Sequence, residues 1–184
     1  MDLLSLCPNI PVSNPEDGTY EYNVGYPDLN SLSCVLYDRY RKFTWIDAYN
    51  YCSDMGKDYG VNGRLVFITD TAMSSTVEVA KLMAVGSGAV TDGYIGLRSN
   101  WIDQTTDVGT NCKDVNVKKE WAWYEGDVEV VSLGTSFPSC LIDDAVIENC
   151  MIISWDNLYQ SGTDMRYEDD GCSSLHNPIC ELYL

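Results

Sequence analysis

Phe43-Thr-Trp-Ile-Asp-Ala-Tyr-Asn-Tyr-Cys-Ser-Asp-Met-Gly56 is where the chain changes period. Just upstream, Cys34-Val-Leu-Tyr-Asp-Arg-Tyr40 alternates enough to read as a strand. From Thr44 onward the repeat lengthens. Thr44 has the hydroxyl that an N-cap needs, Asp47 stands three residues further on, and Ala48, Cys52 and Met55 recur on one face. The spacing predicts a helix over about residues 45–55, stopped by Gly56.

Working outward, Gly63-Arg-Leu-Val-Phe-Ile68 predicts a short buried strand. Asp70 or Thr71 can cap a second helix running through Val77, Val79, Lys81, Leu82 and Met83 until the Gly86-Ser-Gly-Ala segment ends it. From Tyr94-Ile-Gly-Leu97 the chain reads as short strands separated by long polar loops. Residues 1–33 hold four of the six prolines and the turn-former Asn14-Pro-Glu-Asp-Gly18. They predict an irregular arm, with at most one short hairpin, packed on a domain spanning 34–184. Two early helices before a strand-rich second half make an α+β arrangement.

The composition sets the outer limits. A chain of 184 residues with 45% apolar content can build one domain with its own core. Twenty-eight acidic against 11 basic residues give a formal charge of −17, which repels phosphate backbones and anionic membrane surfaces. Nucleic acid is thereby a poor partner, and cations or basic proteins are better ones. No run approaches about eighteen consecutive apolar residues, so no membrane insertion is expected. Cysteines stand at 7, 34, 52, 112, 140, 150, 172 and 180, with no Cys-x-x-Cys, and His176 is the sole histidine. Zinc and thioredoxin-like spacings are absent, which leaves four structural disulfides formed in an oxidising compartment. A secreted or extracellular protein is expected. Because Met1-Asp-Leu-Leu-Ser-Leu6 lacks the basic and apolar segments of a signal peptide, the expectation is either a removed leader or a Met1 that is not native.

Seven features in order resemble the C-type lectin-like domain family. They are Trp45-x-x-Ala48-x-x-x-Cys52, Gly63-x-Leu65-Val66-x-Ile68, Tyr94-Ile-Gly-Leu97, Trp121-x-Trp123-x-x-Gly126, Cys150-Met-Ile-Ile153, Gly171-Cys172 and Ile179-Cys180-Glu181. Together they cover Cys34 to Glu181. The resemblance implies the C-type lectin-like fold of the long form: two helices, small antiparallel sheets and a large long-loop region, stapled by disulfides. It pairs Cys52 with Cys180 and Cys150 with Cys172. Cys7 with Cys34 would then tether the arm as in long-form members, and Cys112 with Cys140, which remain, would staple an enlarged loop. Trp121 and Trp123, two apart on one strand face, would pack under that loop. Trp101 and Trp155 have no counterpart in the family, which leaves them as candidates for stacking on a ligand.

Sugar-binding members hold calcium by hard oxygen ligands converging from loops, and the resemblance carries over part of that set. Glu148 matches the ligand two residues before Cys150. Tyr167-Glu168-Asp169 takes the place of a Trp-Asn-Asp triplet, so Glu168 and Asp169 are candidate calcium ligands. The triplet that selects the sugar reads Phe137-Pro138-Ser139 here and offers no long oxygen-bearing side chain. Asp143 and Asp144 are the available substitutes. Calcium is therefore the one cofactor implied, with an incomplete ligand set. The first reading is a recognition module that binds an extracellular protein or another non-sugar ligand through its enlarged long loop. A calcium-dependent lectin with a rearranged site, binding a glycan, is the alternative, and a structural protein adsorbing to mineral, ice or its own copies is a further one. No catalytic residue is expected, since a nucleophile needs a positioned base and the lone His176, in Leu175-His-Asn-Pro-Ile179 beside a terminal disulfide strand, reads as a surface or structural residue. The oligomeric state stays open.

Overall fold

The computed structural model describes residues 7, 9–13, 20–28, 33–85, 92–99, 121–134, 150–155 and 165–184. Strands β1 (Asn9–Ser13) and β2 (Tyr20–Val24) form an antiparallel hairpin of their own, and β3 (Tyr26–Asp28) pairs with β4 (Ser33–Tyr37). Helix α1 (Trp45–Asp58), β5 (Asn62–Leu65) and helix α2 (Thr71–Val85) follow. Then come β6 (Gly93–Ser99), β7 (Trp121–Glu125), β8 (Val128–Gly134), β9 (Cys150–Trp155), β10 (Met165–Asp170) and β11 (Asn177–Tyr183). Nine strands connect into one network in the order β10-β9-β6-β11-β4-β3, with β5 also on β11, and β7 joining β6 to β8. Small antiparallel sheets were expected; instead β6 and β11 run parallel where Asn177 and Pro178 meet Gly93 and Tyr94. Regular structure also starts earlier than Cys34, because the segment before it supplies three strands.

The central strands β4, β6, β7, β9 and β11 are covered on both faces, which explains why they read as nearly unbroken apolar runs. Leu36, Ala122, Tyr124, Ile152 and Leu182 join Trp45, Ala48, Cys52 and Met55 of α1 in one core. Their strand neighbours Val35, Tyr37, Trp121, Trp123, Met151 and Ile153 join Met73, Val77 and Ala80 of α2 in the other. The two-residue alternation of a strand distributes successive side chains between the two cores. Trp121 and Trp123 are accordingly core residues, 1% and 2% exposed.

Both helices start where their caps place them. The Thr44 hydroxyl accepts from the Asp47 N–H and donates to the Asp47 carboxylate. The Asp70 carboxylate accepts from the Met73 N–H at 2.8 Å, which makes Asp70 the cap of α2. The end of α1 corrects the sequence reading. Gly56 lies inside the helix, and the stop is Gly60 at φ 71°. The Gly60 N–H bonds the Lys57 carbonyl and the Val61 N–H bonds the Gly56 carbonyl, the Schellman pattern in which a left-handed residue satisfies the last carbonyls. Gly56 is needed for proximity instead: a Cβ there would collide with the backbone of Asn62 and Gly63, and one on Gly63 would overlap the Cys52 carbonyl. This contact lets β5 lie directly against α1.

Three disulfides join described residues. Cys52–Cys180 ties α1 to β11 across 128 residues of sequence, Cys150–Cys172 ties β9 to the segment after β10, and Cys7–Cys34 ties the arm to β4. In the chain-entropy picture the first contributes about 4 to 5 kcal/mol. The expected Cys112–Cys140 bridge lies outside the described residues.

Candidate functional site

β10 is the strand on which the sequence places half of a cation site. It pairs with β9 so that Tyr167 faces Ile153, Glu168 faces Ile152, Asp169 faces Met151 and Asp170 faces Cys150. Residues directly opposite in an antiparallel pair share a face. Tyr167 and Asp169 therefore lie on the α2 side with Ile153 and Met151, and Tyr167 packs against that core. Glu168 and Asp170 lie on the α1 side with Ile152 and Cys150. Asp169 is 5% exposed, whereas Glu168 is half-buried. Burial pushes the Tyr167 hydroxyl above its ordinary value, as expected for a phenol losing water.

Asp170 sits at the centre of the polar contacts that follow. Its Oδ1 accepts from the Gly171 N–H at 2.6 Å and from the Ser174 hydroxyl at 3.0 Å, while His176 Nε2 lies 2.5 Å from Oδ2. Burial opposes ionisation of this carboxyl, but the bonds from His176, Gly171 and Ser174 together hold it below the usual carboxylate value. The His176 ring stands edge-on to Tyr94, whose hydroxyl is 2.9 Å from the carbonyl oxygens of both Gly171 and Ser174. Burial, with the Asp170 charge adding to it, drives the Tyr94 hydroxyl beyond the tyrosine range. The His176 backbone bridges Phe43, and the Cys172 carbonyl accepts from the Trp45 N–H. The turn 171–176 thus links β10, β6 and the start of α1 beside the Cys150–Cys172 bond. Sequence reasoning gave Asp170 no role. The available signal was Asp170, Ser174 and His176 crowded around one half-cystine.

Of the candidate site residues, Glu168 and Asp169 are described, and they leave β10 by opposite faces. Trp155 ends β9, where it pairs with Met165. Glu148, Asp143, Asp144, Phe137, Pro138, Ser139 and Trp101 lie outside the described residues. Calcium takes six to eight oxygen ligands. Among the described residues no group of three or more His, Cys, Asp or Glu could hold a metal ion. The described part of the site therefore makes no cation cage by itself. Nor, among the described residues, is any helix long and apolar enough to cross a membrane.

No family model matches the sequence, and no curated protein does. Solved structures do match. Botrocetin superposes with a TM-score of 0.51 at 17% identity, covering 86% of this chain and 96% of its own. Human lithostathine gives a TM-score of 0.49 at 20% identity, covering 83% and 84%. The C-type lectin CEL-I from Cucumaria echinata gives 0.47 at 15%, covering 82% and 89%. The chain has an α+β C-type lectin-like fold, as the order of its motifs implied.

Proposed function

We propose that this chain is an extracellular recognition module, not an enzyme, and that it binds a protein or another non-sugar ligand through its long-loop segments, residues 100–120 and 135–149, without needing calcium. The observation that supports this best is the state of β10. Glu168 and Asp169 point to opposite faces, Asp169 is buried, and Asp170 is committed to the turn around Cys172. Phe137-Pro138-Ser139, at the sugar-selecting position, carries no long oxygen-bearing side chain to complete such a site. The three disulfides support an oxidising compartment.

The contacts of Ser174, His176 and Asp170 also argue for binding over catalysis. A nucleophile relay needs serine bonded to histidine and histidine to aspartate. Here the Ser174 hydroxyl and the His176 ring both bond the Asp170 carboxylate, an arrangement that braces a turn and does not activate an oxygen.

The test is binding to an array of extracellular proteins, basic ones included, at low and high salt and with calcium or chelator. Binding that weakens with salt and ignores chelator is expected, given the charge of −17. Loss of all binding on chelation would overturn the reading. A calcium-dependent lectin with a rearranged site is the second reading, favoured by Glu148, Glu168 and Asp169 at matched positions. A glycan array with and without chelator separates the two.

A further inference from the structure

From Asp127 to Ser132 six consecutive residues are exposed, although five of them lie in β8. A strand that covers a core buries alternate residues. The partner strand β7 does more, with Trp121, Ala122, Trp123 and Tyr124 all buried. The difference comes from register. Trp123 pairs with Val131 and Tyr124 with Glu129, so Val130 is an extra residue in a bulge. Bulges re-aim side chains. As a result Val130 and Val131, which a regular strand would send to opposite faces, are each 46% exposed, and Val128 is 66% exposed. Among the described residues β8 pairs with β7 alone.

An exposed apolar edge is a template for another strand, and natural edges are guarded by bulges, proline and inward or outward charges, lysine above all. This edge has the bulge, but its charges are all acidic. Asp127, with its side chain 86% exposed, and Glu129 interleave with Val128 and Val130. Antiparallel pairing with a second copy would set these carboxylates against each other, and like charges opposite one another destabilise a pair. An extended segment with basic side chains interleaved with apolar ones meets the opposite situation: its cations face carboxylates while its apolar residues cover the valines. The guard therefore excludes one occupant and selects another.

We propose that the edge formed by Asp127–Val131 is a docking surface for an extended segment of a partner protein in which lysine or arginine alternates with apolar residues. This proposal does not rest on the long-loop reading above and stands or falls independently of it. Two contacts from the neighbouring strands β6 and β7 hold the edge in place. Arg98 reaches Asp127 at 3.3 Å, and the Tyr124 hydroxyl reaches Glu129 at 3.4 Å.

The experiment uses the whole chain and three synthetic peptides of about eight residues, alternating lysine with valine, glutamate with valine, and lysine with serine. Binding is followed by calorimetry, and its location by amide hydrogen exchange. The Lys/Val peptide should bind and protect the amides of 128–131, and the other two should bind far more weakly. Glu129→Lys should weaken the Lys/Val peptide by about tenfold and improve the Glu/Val peptide. Val130→Ser, which keeps every charge, should weaken the Lys/Val peptide alone. Circular dichroism checks that each variant is folded, and Asp127→Lys provides a second charge reversal at a still more exposed position. Equal binding of the Lys/Ser peptide, protection elsewhere than β8, or indifference to both charge reversals would overturn the proposal.

Discussion

Replacing Arg64 by methionine should destabilise the fold, by an amount that follows from its contacts. The Arg64 guanidinium lies between the rings of Phe67 and Tyr183, 3.8 and 4.3 Å from their centroids. Its Nε bonds Glu181 at 2.9 Å and its Nη1 bonds Glu125 at 2.8 Å. The Glu181 side chain is 4% exposed, that of Glu125 32%. Removing the cation leaves Glu181 as a buried charge whose remaining bond is a long one from the Phe67 N–H, at 3.4 Å. Breaking a buried pair in this way costs about 3 to 5 kcal/mol. Glu125 regains water and adds less than about 1 kcal/mol. For a chain of this size a loss of 3 kcal/mol lowers Tm by about 6 to 12 °C. The assay is urea unfolding with a thermal melt. Arg64→Met/Glu181→Met should recover most of the loss, because the orphaned charge goes with it, whereas Arg64→Lys should recover little, since an ammonium cannot bridge two carboxylates while lying flat between rings. A loss below about 1 kcal/mol for Arg64→Met, or no recovery in the double variant, would refute the account of Glu181.

Asp170→Asn should alter the acid limb of stability. The folded chain holds the Asp170 carboxyl below its ordinary 3.8, so its contribution is fully present above that value and lost as pH falls through the lowered one. The difference between wild type and variant should be steady near neutrality and shrink below about pH 4; a difference unchanged down to pH 2 would contradict the pairing with His176. The glycines that follow α1 should separate by mechanism. Gly60→Ala meets nothing within 4 Å and is strained only by its φ of 71°, so a loss of about 1 to 2 kcal/mol is expected by denaturant unfolding. Gly63→Ala, which would drive into the Cys52 carbonyl, should lose distinctly more, and similar losses would contradict the close α1–β5 approach.

The parts of the fold that were legible in the sequence are those governed by local chemistry. The Thr44 cap, the inward stripe of α1 and the Asp70 cap follow from neighbouring residues. The pairing of Cys52 with Cys180 and of Cys150 with Cys172 came from the order of motifs. What stayed hidden depends on distant partners. Gly56 reads as a stop because its real reason, Gly63 against it, is a tertiary approach. The exposure of Val128–Val131 has no local mark either, because it comes from a register shift against β7. The candidate site divides the same way. Glu168 and Asp169 could be named from position, but their separation to opposite faces, and the claim of His176 and Ser174 on Asp170, appear only once β10 is paired.

Recognition without calcium can be checked by a thermal melt in millimolar calcium against chelator. A cation that binds only the folded chain stabilises it by about 2.7 kcal/mol at a hundred times its dissociation constant, a Tm rise of about 5 to 11 °C for a chain of this size. Coincident melts are expected. A calcium-dependent rise of that order would contradict this and restore Glu148, Glu168 and Asp169 as a working cation site.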